Sequence, residues 1–224
     1  MAPVWPELSF AHAGGDKEKC ARVGLLAVRV VVFLNVMAAV ALWVMLPGIY
    51  SLWTARKLTL QPLLMALFLV QGILAAGWST AGWVLLASNE HRTLAWWALS
   101  NAGITLALGV LLAPRYGVMG VAVATLIGDL VCGVSVYPRK AARQLGVPAS
   151  KVYRAILRPV LAAAPAGALV LLCSSLKVPL STRVLAMAGV FIAVIYPSAL
   201  LAFGRDDWGM LTGRIRNYAT SLLA

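Results

Sequence analysis

Long apolar runs separated by short polar connections dominate the pattern of this chain. A helix needs about 20 mostly apolar residues to cross about 30 Å of hydrocarbon, because each residue advances it by about 1.5 Å. Six runs are of this kind, and we name them segments A to F: residues 23–49, 63–87, 94–112, 117–137, 160–176 and 184–203. Membrane strands would instead alternate apolar and polar positions over about ten residues. The pattern predicts an all-α integral membrane protein with about six transmembrane helices.

Prolines mark the expected ends of several segments. Pro47, followed by Gly48, is expected to end segment A, and Pro114 to end segment C. Pro138 follows segment D, and Pro159 falls in the first turn of segment E, where its missing N–H costs little. The residues between these two prolines are therefore predicted to form a loop.

Lysine and arginine residues are distributed unevenly between the two sides that six crossings define. Thirteen fall on the side of both chain termini and five on the opposite side, while Arg29 lies within segment A. The side richer in basic residues is normally cytoplasmic, so both termini are predicted to be cytoplasmic. The predicted organisation has five parts: a cytoplasmic N-terminal segment (1–22), a four-helix part (23–137), a basic cytoplasmic loop (138–159), a terminal helix pair (160–203) and a cytoplasmic tail (204–224).

The composition also favours a lipid environment. Of the 224 residues, 62% are hydrophobic and 12% are charged, whereas soluble domains are about 45–50% apolar and about 25% charged. The net charge of +12 would fit nucleic-acid binding only if the basic residues were clustered on a surface in water. They are dispersed between apolar runs instead, so no nucleic-acid partner is predicted.

Residues with the chemistry for catalysis or metal binding are few. Cys20, Cys132 and Cys173 have no metal-ligand spacing, and His12 and His91 are far apart in sequence. The sequence contains no glycine-rich phosphate loop, no nucleophile elbow and no acidic pair of the kind that binds metal for glycosyl transfer. It therefore predicts no enzyme activity, no metal and no cofactor.

Small and polar side chains interrupt the apolar faces of segments B, C and D. Helices pack in lipid through small residues and a few polar contacts, and segment D carries Gly120, Ala124 and Gly128 at four-residue steps. Gln71 in segment B and Asn101 in segment C belong to similar small or polar lines. Two interpretations remain open, namely ordinary helix packing and a hydrated path for a substrate.

Charged residues within the segments are the strongest candidates for a function. Asp129 lies roughly 18 Å along segment D, and an acid near mid-membrane costs about 2.5–3.5 kcal/mol, so it normally faces a partner or a cavity. Arg29 lies near the end of segment A and can extend to the interface, whereas Asn35 lies two turns deeper. Asp206 and Asp207 are expected to form a solvated pair.

The candidate substrate-pathway or ion-coupling residues are therefore Asp129, Arg29, Asn35, Gln71 and Asn101. For Asp129 and Arg29, a purely structural role is the open alternative.

One part of the chain resembles a known family. Residues 85–92 are Leu-Leu-Ala-Ser-Asn-Glu-His-Arg, and residues 114–125 are Pro-Arg-Tyr-Gly-Val-Met-Gly-Val-Ala-Val-Ala-Thr. This turn into a small-residue helix, with Asp129 near its middle, resembles polysaccharide flippases, the Wzx-like, O-antigen and exopolysaccharide members of the multidrug/oligosaccharidyl-lipid/polysaccharide exporter superfamily. Residues 6–16 resemble the cytoplasmic exit of an earlier helix of that family, and residues 158–159 resemble the start of its last helix pair.

The resemblance implies a partial flippase fold, made of the last four helices of the second half and the terminal pair. The chain would then be a C-terminal segment: a truncated gene, a split subunit or a partial gene model. The implied function is to move a lipid-linked oligosaccharide across the bacterial inner membrane by alternating access, driven by an ion gradient. The implied partners are that lipid, membrane lipids, and either a matching N-terminal half or other polysaccharide assembly proteins.

Two alternatives remain open beside this function. One is a segment of a cation-coupled multidrug exporter of the same superfamily. The other is a non-transporting membrane scaffold for a polysaccharide assembly complex.

Overall fold

The computed structural model describes residues 4–175, 189, 193, 195–204, 207–209 and 212–213. Its described residues form helices and no strand. In chain order these are α1 (Val4–Ala13), α2 (Lys17–Trp53), α3 (Pro62–Ala87), α4 (His91–Tyr116), α5 (Val118–Gly128), a π-helical segment (Asp129–Val134), α6 (Ser135–Gln144) and α7 (Ala149–Ser175). Residues 195–202 are helical as well.

Within the described ranges, four stretches are long and apolar enough to cross a membrane: Lys17–Trp53, Pro62–Ala87, His91–Tyr116 and Val118–Gln144, the last formed by α5, the π segment and α6 together. This agrees with an all-α membrane protein. Much of segment F lies outside the described residues. The number six and the cytoplasmic placement of both termini stay predictions.

The prolines end fewer helices than the sequence indicates. Helix α2 continues past Pro47 to Trp53, and the chain turns where Ala55 and Arg56 adopt positive φ angles of 49° and 59°. Pro114 lies within the last turn of α4. A helix-interior proline removes one hydrogen bond without having to end the helix, so these helices are longer than the predicted segments.

The predicted loop at residues 138–159 is mostly helical. Pro138 lies inside α6 and Pro159 inside α7, with only a short turn between the two helices. The N–H that proline lacks at position 138 would have bonded the carbonyl of Val134 four residues earlier. The Tyr153 hydroxyl of α7 donates to that carbonyl instead, at 2.9 Å, which ties α7 to the end of the π segment.

A tight hairpin joins α4 to α5 at Gly117. This residue has φ 57° and ψ −139°, a backbone conformation that residues with a Cβ rarely adopt. The hairpin places Gly120 directly against the backbone of Leu112, since a Cβ on Gly120 would lie 2.6 Å from the Leu112 carbonyl oxygen. The two glycines therefore allow α4 and α5 to pack with their backbones in close contact.

Two apolar clusters hold the helices together. The first joins α2 and α7 to residues 199–203, and the second joins α1, α2, α3 and α6. No residue of α4 is buried, and large apolar side chains on it are exposed, among them Leu99, Leu106 and Leu111. An exposed apolar surface of this extent is expected where a helix faces lipid or another membrane segment.

Candidate site around Asp129

Asp129 is buried where three helical elements meet. It is the first residue of the π segment and is 4% exposed. One carboxylate oxygen accepts a hydrogen bond from Asn101 Nδ2 of α4 at 3.1 Å, and the other accepts one from Gln71 Nε2 of α3 at 3.3 Å. The structure thus brings together three of the five candidate residues, although they lie 28 and 58 positions apart in sequence.

The small-residue line of α5 makes this meeting possible. Gly120, Ala124 and Gly128 are all buried. A Cβ on Gly128 would lie 2.5 Å from Thr105 Oγ1 and closer still to Asn101 Oδ1. A side chain at position 128 would therefore displace the amide that binds Asp129.

Thr105 holds that amide from the other side. Its hydroxyl lies 3.4 Å from Asn101 Oδ1, to which it donates. The Asn101 side chain is thereby oriented with its N–H2 group toward the carboxylate.

The π segment begins at the acid itself. A π-helix bonds residue i to i+5 and occurs mostly as short bulges, frequently at functional sites. The Tyr153 hydroxyl lies 2.9 Å from the carbonyl oxygen of Val134 and 3.3 Å from that of Ser135, and the Ser135 hydroxyl donates to the carbonyl of Val131. Side-chain donors thus bond carbonyls within and just after the wider turn.

The hydrogen-bond partners that the described residues supply to the Asp129 carboxylate are neutral amides. Among the described residues the ion pairs are Arg22–Glu18 and Arg29–Asp207, so no described cation pairs with Asp129. The described part of the chain also brings no three His, Cys, Asp or Glu side chains into a group that could bind a metal. An acid inside a membrane protein normally faces a partner or a cavity, and the partners described here are the two amides.

Arg29 and Asn35 lie away from this site. Arg29 forms an ion pair with Asp207, which is 6% exposed. The expectation that Asp207 belongs to a solvated pair was therefore wrong, because a partner 178 residues away buries it. Asn35 Nδ2 donates to the carbonyl of Val31 in its own helix at 3.0 Å, so it contacts no neighbouring helix through this bond.

Tyr153, whose hydroxyl binds the turn beside Asp129, was not among the predicted site residues. The available signal was Pro138, whose missing N–H predicts an unpaired carbonyl four residues earlier. Tyr153 itself stood in the predicted loop and carried no such signal.

An apolar cleft of about 320 Å³ opens between α2, α3 and α7. Its walls include Val36, Trp43 and Gly167, together with Val70 and Ile73, which are one and two residues from Gln71 in sequence. The cleft has the chemistry to hold a hydrocarbon chain.

Protein-family models, curated proteins and solved structures give no match to this chain.

Proposed function

We propose that the protein takes part in moving a lipid-linked oligosaccharide across the inner membrane, as part of a polysaccharide flippase. The observation that carries the proposal is the buried Asp129 carboxylate held by Gln71 and Asn101 from two other helices. Acids kept inside a membrane protein are costly and typically belong to ion or substrate pathways. The flippase-like turn at residues 114–125 directly precedes this acid.

Support for ion coupling comes from the neutral side chains that hold Asp129, the amides of Gln71 and Asn101. When Asp129 is charged, both amides donate to it; when it is protonated, it becomes a donor itself and the bonds to Gln71 and Asn101 must rearrange. Because the two amides lie on α3 and α4, a change of charge at Asp129 alters how these helices are held to the π segment. That change supplies a link between proton or cation binding and an alternation between two arrangements of the helices.

The apolar cleft between α2, α3 and α7 supports a lipid-linked substrate. A polyprenyl chain needs an apolar surface, while its glycan needs polar groups during transfer. Helix α3 of the protein offers both, because it lines the apolar cleft and also carries Gln71. The multidrug-exporter and scaffold alternatives are not favoured by any contact in the described residues.

The test of the flippase function is deletion of the gene in its host, in a strain without other flippase genes. We expect loss of surface polysaccharide and accumulation of lipid-linked oligosaccharide that a membrane-impermeant glycosidase does not reach. Normal surface polysaccharide after deletion would overturn the proposal. Lost polysaccharide with glycosidase-accessible oligosaccharide would overturn it as well, because flipping would then be intact.

Asp129→Asn in the complementing gene tests the coupling role. The substitution keeps the shape of the side chain and removes its charge, so we expect roughly tenfold slower appearance of surface polysaccharide, which corresponds to about 1.4 kcal/mol in one step of the cycle. Thr125→Val is the matched control, since the Thr125 hydroxyl, as far as the described residues show, donates to the Val121 carbonyl of its own helix. Full activity of Asp129→Asn at wild-type membrane abundance would rule out coupling through this acid.

A further inference from the structure

A second cavity, of about 800 Å³, lies along α7 at its contact with the helical residues 195–202. It is lined by the polar residues Ser150, Arg154 and Arg158 and by the apolar residues Leu157, Leu161 and Leu201, among others. None of the described side chains that line it carries a carboxylate. Its lining includes neither Asp129, Gln71 and Asn101 nor any residue of the apolar cleft.

We call this second cavity the α7 groove. From its residues we infer that the groove binds an anionic phospholipid, with the phosphate at the arginines and an acyl chain along the leucines. Ser150, Arg154, Leu157 and Leu161 follow one another at steps of three or four residues, so they lie on one face of α7. This face covers about 16 Å of helix. Its first two members are polar and its last two are apolar, and Arg158 follows Leu157 in the lining. A phospholipid has the same order of chemistry from its headgroup into its acyl chains.

The two arginines are suited to a phosphate. Arg158 donates its Nε–H to the carbonyl of Leu201 at 2.9 Å, which fixes the guanidinium and leaves its terminal N–H groups without a described partner. Arg154 is exposed, and neither arginine is in an ion pair with a described carboxylate. Guanidinium groups bind phosphate oxygens through two parallel hydrogen bonds. A zwitterionic lipid would add a cation beside two arginines, so the positive charges of Arg154 and Arg158 favour an anionic headgroup.

The groove also contacts the turn beside Asp129. Tyr153 lines it and donates to the carbonyl of Val134 at the end of the π segment. A lipid in the groove would therefore stabilise the position of α7 that keeps this hydrogen bond.

The inference is tested with the full chain in detergent micelles, by native mass spectrometry with phosphatidylglycerol and phosphatidylcholine. We expect phosphatidylglycerol to bind and phosphatidylcholine not to bind. Arg154→Gln combined with Arg158→Gln should weaken phosphatidylglycerol binding about 30-fold, because each basic residue near an anionic lipid contributes about 1 kcal/mol and 1.4 kcal/mol is tenfold. Arg154→Gln alone, which breaks no described hydrogen bond, should weaken it about fivefold.

The matched control is Arg139→Gln combined with Arg143→Gln, which removes the same charge from exposed positions of α6 outside the groove. It should leave most of the affinity intact. An equal loss in this control, or equal binding of phosphatidylcholine, would overturn the inference. Displacement of phosphatidylglycerol by an equal concentration of inorganic phosphate or of polyprenyl phosphate would also overturn it, by assigning the groove to free phosphate or to the transported lipid.

Discussion

Replacing Arg29 with leucine is expected to lower the free energy of unfolding by about 3 kcal/mol, because it leaves the buried Asp207 carboxylate without its cation. Asp207 and Arg29 are both largely removed from solvent, with side-chain exposures of 8% and 23%. The pair also joins residue 207 to α2, next to the contacts of Phe203 with Phe33 and with Trp208. The free energy can be measured by titrating detergent-solubilised protein with SDS and following helix content by circular dichroism.

The control is Arg22→Leu, which removes another arginine of α2. Arg22 pairs with Glu18 one turn earlier, at 3.8 Å, and both side chains are mostly exposed. Such a pair contributes only about 0.3–0.5 kcal/mol, so this variant should unfold almost as the wild type does. Similar losses for Arg22→Leu and Arg29→Leu would contradict the structural role of the buried pair.

A double variant separates the loss of the ion pair from general damage at Arg29. Asp207 also accepts a hydrogen bond from the Gly204 N–H at 2.8 Å, and asparagine keeps an oxygen for this bond. Arg29→Leu combined with Asp207→Asn should therefore regain much of the stability lost in Arg29→Leu. If the double variant is less stable than Arg29→Leu alone, the unpaired charge is not the cause of the loss.

Replacing Gly120 with valine is expected to destabilise the protein by about 3 kcal/mol, the upper part of the range for overpacked sites. The added Cβ would lie 2.6 Å from the Leu112 carbonyl oxygen and 2.7 Å from its carbon. These are backbone atoms of α4, so no side-chain rotation relieves the contact, and α4 and α5 must separate. The same SDS titration measures the effect.

Gly109→Val is the control for this substitution. Gly109 also lies in a helix, α4, but a Cβ there meets no atom within 4 Å. Valine has a better helix propensity than glycine, so this variant should be as stable as the wild type or slightly more stable. Equal destabilisation at positions 109 and 120 would show that valine, and not the close approach to Leu112, is responsible.

The sequence predicted the polar residues of the site better than their arrangement. Asp129, Gln71 and Asn101 were each recognisable because a polar group within an apolar run is costly without a partner. Their mutual contact depends on how three helices pack, which the spacing along one chain does not determine. The pair of Arg29 and Asp207 was missed for the same reason, since it joins residues near opposite ends of the chain.

The helical conformation of residues 138–159 was not predicted, for a different physical reason. Average hydropathy over residues 138–159 is low because this stretch carries several basic residues, among them Arg143 and Arg154 on exposed positions. The same stretch places Ala141, Leu145 and Val152 in the interior. A one-sided apolar pattern of this kind is typical of an amphipathic helix, and averaging over a window conceals it.

The π segment has a consequence for helical phase. An α-helix turns by about 100° per residue, so removing one residue from an ordinary turn would rotate every later side chain by that angle. A turn that bonds i to i+5 holds one residue more than the ordinary turn. Loss of one residue from 130–133 would restore the ordinary turn. Gly128, before the π segment, and Tyr137, after it, would still face the same neighbours. This stretch is thus where the helix can change length by one residue while both of its flanking faces keep their orientation.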